Sequence, residues 1–154
     1  MSYTIILLVH SWLRWIVVVS LLYSLYRAYT GWFREKSFTN FDNSLRHSVA
    51  TIAHIQLLFG LLLYGISPII SYFLSHFSET VHIREIRFFG LEHSVTMLLA
   101  IFVITLGSMI AKRQKIDRLK FRTIAIWYTI AFILIIVAIP WEFSSMVSRP
   151  YFRI

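Results

Sequence analysis

The chain has 154 residues, of which 58% are hydrophobic and only 14% charged, and its mean hydropathy is +0.70. Soluble domains average roughly 45 to 50% apolar and about 25% charged residues, so a chain this short cannot hide its apolar surface in water, and its solvent is a lipid bilayer. The net charge of +8 is spread between greasy segments rather than gathered on one polar face, which excludes nucleic acid as a partner, and the absence of cysteine excludes disulfides, thiolate metal sites and cysteine nucleophiles.

Four apolar segments follow in chain order, about Ile5 to Tyr26, Val49 to Ile70, Phe88 to Ile110 and Thr123 to Pro140. Each approaches the roughly 20 residues that a helix needs to cross about 30 Å of hydrocarbon. The first has no basic stretch before it and no small-residue cleavage site after it, so it reads as a retained span and not a signal peptide. The connection after it carries FREKSFTNFDN, whose Asn and Asp suit a capped start to the second helix. Ser67-Pro68 bends or stops that helix near its end. The connection from Ser71 to Phe89 includes SHFSETVHIREIR and reads as a short interfacial helix. The fourth span closes on Ile139-Pro140-Trp141, with Trp at the interface.

Short connections make an all-α, antiparallel four-helix bundle of one domain the simplest integral membrane assembly. Outside the spans, ten Lys and Arg residues lie on the side of the first and third connections against four on the other. The positive-inside rule then places both termini outside, with lipid headgroups meeting the run KRQKIDRLKFR.

Polar residues within the spans are the candidates for function, since a charge near the bilayer centre costs at least roughly 2.5 to 3.5 kcal/mol. The first span has His10 and Arg14, one turn apart; the second has His54 and Gln56; the third has Glu92 and His93; the fourth has no ionisable residue in its apolar core and reads as scaffold. Counting about 1.5 Å per residue from each span's midpoint puts His10 roughly 8 Å and His93 roughly 9 Å to the outer side, and His54 roughly 8 Å to the inner side. Two imidazoles at one depth on different helices suit the two faces of a haem, so His10 and His93 are the candidate iron ligands. Arg14 suits a propionate or an ion pair with Glu92, and Arg87, at the outer mouth of the third span, suits a propionate better.

The stripe His93, Met97, Ala100, Ile104 and Gly107 contains small residues that would admit a flat ring or a neighbouring helix. His54, with Leu58 and Leu61 on its face, suits a quinone headgroup and tail. The plainer reading of the same residues is interhelical polar packing, or a site for another ligand. His47, His76 and His82 read as solvated.

His10-Ser-Trp-Leu-Arg14-Trp15, His54-Ile-Gln56-Leu-Leu-Phe-Gly60 with Tyr64 and Ser67-Pro68, Glu92-His93 and Ile139-Pro140-Trp141 resemble a family of small bacterial four-helix membrane proteins commonly labelled cytochrome b. The resemblance runs through nearly the whole chain and singles out His10, Arg14, His54, Gln56, Arg87, Glu92 and His93. It implies a bacterial inner-membrane protein that binds haem b and carries electrons, as a carrier or subunit and not a stand-alone enzyme, with membrane lipid and a partner membrane protein or second copy around it. A more distant likeness is to the four-helix units of haem A synthase and other di-haem membrane cytochromes. This chain has three intramembrane histidines against their four, one short of a second bis-histidine haem. The alternatives to an electron carrier are a non-redox subunit held by a buried His/Arg/Glu network and a proton or small-solute pathway.

Overall fold

The computed structural model describes residues 2–141, and these are helical with no strand among them. Seven α-helices follow in order: α1 (Ser2–Phe33), α2 (Asn40–Ile66), α3 (Pro68–Ser75), α4 (Phe77–Thr80), α5 (Arg84–Arg87), then, after a π turn over Phe88–Glu92, α6 (His93–Arg113) and α7 (Asp117–Ala138). Four helical stretches are long and apolar enough to cross a membrane: Tyr3–Phe33, Asn40–Ile66, Arg84–Arg113 and Asp117–Ala138. Arg149 and Arg153, two of the four basic residues assigned to the outer side, lie outside the described residues.

The boundaries depart from the sequence pattern where polar residues take part in helices. α1 continues to Phe33 and α2 begins at Asn40, because helical propensity carries on past the apolar stretch. The cap of α2 is Thr39: its hydroxyl accepts from Asp42 N–H at 3.3 Å, and the Asp42 carboxylate accepts from Thr39 N–H at 3.0 Å. This reciprocal capping box uses the predicted Asp at the third helical position and leaves Asn40 and Asn43 inside the helix. α2 ends at Ile66 and not at residue 70, since Ser67 turns extended and Pro68 starts α3 at its first position, where a missing N–H costs nothing. The expected single interfacial helix is instead three short helical pieces, α3 to α5. In the π turn the His93 N–H reaches Phe88 O, five residues back, and the Ser94 hydroxyl donates to Phe89 O at 2.9 Å.

The long helices pack in the order α1, α2, α6, α7 and back to α1, so α1 faces α6, and α2 faces α7, across the core. That core runs through Val17, Leu21, Ala28, Val49, Ala53, Ala100, Ile104, Ala125, Tyr128 and Ala131. Small residues set the close approaches. A Cβ at Gly107 would run into the Trp127 side chain, and one at Gly90 into the Phe73 ring. In the stripe below His93, Gly107 meets the Trp127 side chain of α7, and Ala100 and Ile104 are fully buried.

Candidate functional site

Polar side chains gather in two layers. At the end of the molecule where α6 begins, His10 of α1 and His93 of α6 stand on facing helices, with Arg14 one turn along α1 from His10. His93 is held from α7, its Nδ1–H donating to Ala138 O at 2.8 Å. A carbonyl can only accept, so a neutral His93 carries its proton on Nδ1 and its lone pair on Nε2.

His10 is held from α2. The Gln56 amide donates to His10 O at 3.0 Å and to His10 Nε2 at 3.3 Å, while Gly60 lets the ring lie against α2, a Cβ there standing 3.3 Å from Cε1. His10 Nδ1, Gln56 Oε1 and Glu92 Oε2 are buried without a hydrogen-bond partner. Each such group costs about 1–3 kcal/mol unless something satisfies it.

The arginines divide differently from expectation. Glu92 accepts from Arg87 Nε at 2.8 Å, five residues back across the π segment. Arg87 also donates to Val81 O at 3.3 Å and is committed to this corner of the chain. The Arg14 guanidinium lies 5.3 Å from the centre of the Trp15 ring, and Trp15 meets Trp141 edge-on. Trp141 in turn donates to Ile136 O, closing the end of α7 over this layer. α7, which the sequence marks as scaffold, thus supplies the carbonyl that orients His93.

His54 is nearer to this layer than the rise per residue from the apolar midpoints predicts. Gln56 and Gly60 both touch His10, so His54 is two to six residues away along α2, or about 3–9 Å, where about 16 Å was expected. The error lay in the midpoint: α2 spans Asn40–Ile66 and its middle falls beside His54. His54 does not join His10 and His93. It points outward at the seam of α2 and α6, donating through Nδ1 to Ala50 O at 2.7 Å and facing the Thr105 hydroxyl with Nε2 at 3.2 Å. Leu58 and Leu61 on the same helical face are exposed, and so are Leu98 and Phe102 of α6. His47, His76 and His82 are exposed, as their positions near the span ends suggested.

The second layer was not anticipated. Arg46, counted among the basic residues outside the spans, is 5% exposed and reaches into the core. Its Nη1 donates to Ser108 O at 3.0 Å and to the Ser108 hydroxyl, its Nη2 donates to Asn43 Oδ1 at 2.9 Å, and the wholly buried Tyr128 donates to Arg46 O at 2.9 Å. Beside it Arg27 pairs with buried Asp42 at 2.7 Å. A sequence signal existed: Asp42, Arg46, Val49 and Ala53 follow one helical face.

Among the described residues no group of three or more His, Asp or Glu side chains converges on a metal-sized site. Ligation by a metal-carrying ring asks for less, namely two imidazoles with available lone pairs. His93 meets that requirement through Nε2, whereas His10 Nε2 accepts from Gln56, a neutral ring then carries its proton on the buried, unpartnered Nδ1, and His10 would meet it only if the Gln56 bond gave way. Compared with family models, with curated proteins and with solved structures, the chain matches none.

Proposed function

We propose that this chain is a bacterial inner-membrane electron carrier or subunit, an antiparallel four-helix bundle that holds one haem b between His10 and His93 and exchanges electrons with quinone at His54. The observation that carries the reading is His93: its ring is oriented by Ala138 O so that a lone pair on Nε2 is directed away from α7, on the helix facing His10. Such backbone anchoring of the second nitrogen is how ligating imidazoles are fixed. Haem, when bound, supplies a one-electron redox centre. The chain's own part is to hold two imidazoles, to keep Arg14 near them as a positive charge for a propionate, and to exclude water with Trp15 and Trp141. At the α2/α6 seam, His54 and Thr105 offer polar groups beside exposed leucines, which suits a headgroup entering from lipid.

One observation favours a second reading, a non-redox subunit held by polar packing. His10 Nε2 already accepts from Gln56, which leaves the proton of a neutral ring on Nδ1, so ligation through either nitrogen would require that bond to give way. An absorption spectrum of the purified full chain, with and without dithionite, separates the two. The expected result is a low-spin haem b spectrum that is lost or converted in His10→Ala and in His93→Ala, whereas His54→Ala keeps haem and slows its reduction by quinol. A colourless protein expressed with ample haem would leave the polar network as the function of this layer.

A further inference from the structure

Around His54 and Thr105, three hydrogen-bond contacts share two protons when the imidazole is neutral. Ala50 O only accepts, so Nδ1 carries a proton. Thr105 has a single hydroxyl proton and two neighbours that want it: Ile101 O at 2.7 Å and His54 Nε2 at 3.2 Å. If the hydroxyl turns to Nε2, the imidazole is neutral and Ile101 O keeps only its helical bond. If it turns to Ile101 O, the Thr105 oxygen presents a lone pair to Nε2, and that contact is a hydrogen bond only when Nε2 is protonated too. The same heavy-atom positions therefore serve both the neutral imidazole and the imidazolium, and the difference is a rotation about one C–O bond.

We propose that Thr105 and His54 are a proton-accepting relay open to the lipid phase. The inference rests on the proposed function for the identity of the proton donor, a quinol hydroxyl. In the transfer, the quinol O–H bond breaks and its electron pair stays on that oxygen. Thr105 Oγ1 takes the proton and passes its own to His54 Nε2, where an N–H bond forms. The hydroxyl then rests on Ile101 O. The surroundings suit a charge that comes and goes. α6 carries no charged residue between His93 and Lys112, so it faces His54 with Thr105 alone. On α2 the nearest titratable groups are exposed His47, two turns away, and Arg46, held by Ser108 and Asn43. On α1, Arg14 and His10 belong to the other layer and Arg27 is paired with Asp42.

The relay and its donor can be tested apart in lipid nanodiscs holding the full chain. In the ¹⁵N NMR spectrum of histidine-labelled protein at fixed pH, with His54→Ala giving the assignment, Thr105→Val is expected to reduce the share of His54 carrying two ring protons by roughly threefold or more, because a charged donor loses its acceptor. Thr105→Ser restores it. An unchanged share in Thr105→Val overturns the relay, whatever quinol does. With a short-chain benzoquinol as reductant of the haem-loaded chain, Thr105→Val is expected to slow the saturating rate of haem reduction roughly 100-fold with the half-saturating quinol concentration within about twofold, and Thr105→Ser to recover most of it. An unchanged saturating rate in Thr105→Val sinks the relay and leaves quinol oxidation at His54 standing. A wild-type chain that ignores the quinol overturns the quinone reading and with it the quinol as the relay's donor.

Discussion

Arg46 carries a guanidinium into the packed core and donates to neutral acceptors: the Ser108 carbonyl and hydroxyl, and the Asn43 amide oxygen. Removing it unmakes these bonds and leaves Ser108 and Asn43 without their donor, so Arg46→Ala should destabilise the fold by about 1–3 kcal/mol. Lys in its place recovers little, since one ammonium cannot span Ser108 and Asn43 as a planar fork does. Thermal unfolding in detergent measures both, and an Arg46→Ala protein as stable as wild type would mean the network contributes nothing net. Gly107 is the apolar counterpart. The Trp127 side chain occupies the space where a Cβ would stand, so Gly107→Ala forces α6 and α7 apart at a cost of about 1–3 kcal/mol. The same unfolding experiment checks it, with Gly65→Ala as the control because nothing lies near that position.

Each helix starts and stops for a local reason, and the element boundaries decide which side chains meet. The capping box of Thr39 and Asp42 starts α2, and Asp42 also pairs with Arg27, so the beginning of α2 is tied to the end of α1. Thr39→Ala should cost about 1 kcal/mol and Thr39→Ser much less, read as the loss of amide protection over Asn40 to Asn43. At its other end Ser67 and Pro68 stop α2 and let α3 turn away, so that Phe73 of α3 packs onto Gly90 and Tyr64 of α2 donates to Gly90 O at 3.0 Å. The π turn over Phe88–Glu92 begins α6 in this corner, immediately before His93. Inserted residues of this kind rotate everything beyond them, and here they set the direction of a candidate ligand.

At the scale of the molecule, the order α1, α2, α6, α7 leaves two diagonal pairs, with His10 and His93 on one of them at one end and a Tyr128–Arg46 hydrogen bond joining the other toward the opposite end. Basic residues crowd the second end, where Lys36, Lys112, Arg113, Lys115, Arg118 and Arg122 follow one another around the connections. That asymmetry predicts a cytoplasmic location for the connection between α6 and α7. A reporter enzyme fused at Gln114 should be active only in its cytoplasmic form, and a periplasmic signal there would reverse the orientation of both layers.

The sequence by itself determined that the chain is helical and has four segments fit to cross a membrane. Hydropathy and length decide these because a bilayer tolerates no unsatisfied backbone, and they do not depend on which helix touches which. It also marked His10, Arg14, His54, Gln56, Glu92 and His93, since polar groups in apolar segments are conspicuous wherever they point, and Arg87 at the mouth of the third segment. Only the tertiary structure decided their partners. Arg87 took Glu92, Gln56 took His10, Ala138 O oriented His93, and His54 went to the exposed seam of α2 and α6 with Thr105. It also revealed Arg46, which reads as a loop cation in one dimension and proves buried because α2 starts nine residues before the apolar stretch does. Pairing depends on helix rotation and register, which follow from packing between residues far apart in the chain, such as Gly107 with Trp127, and no local pattern encodes them.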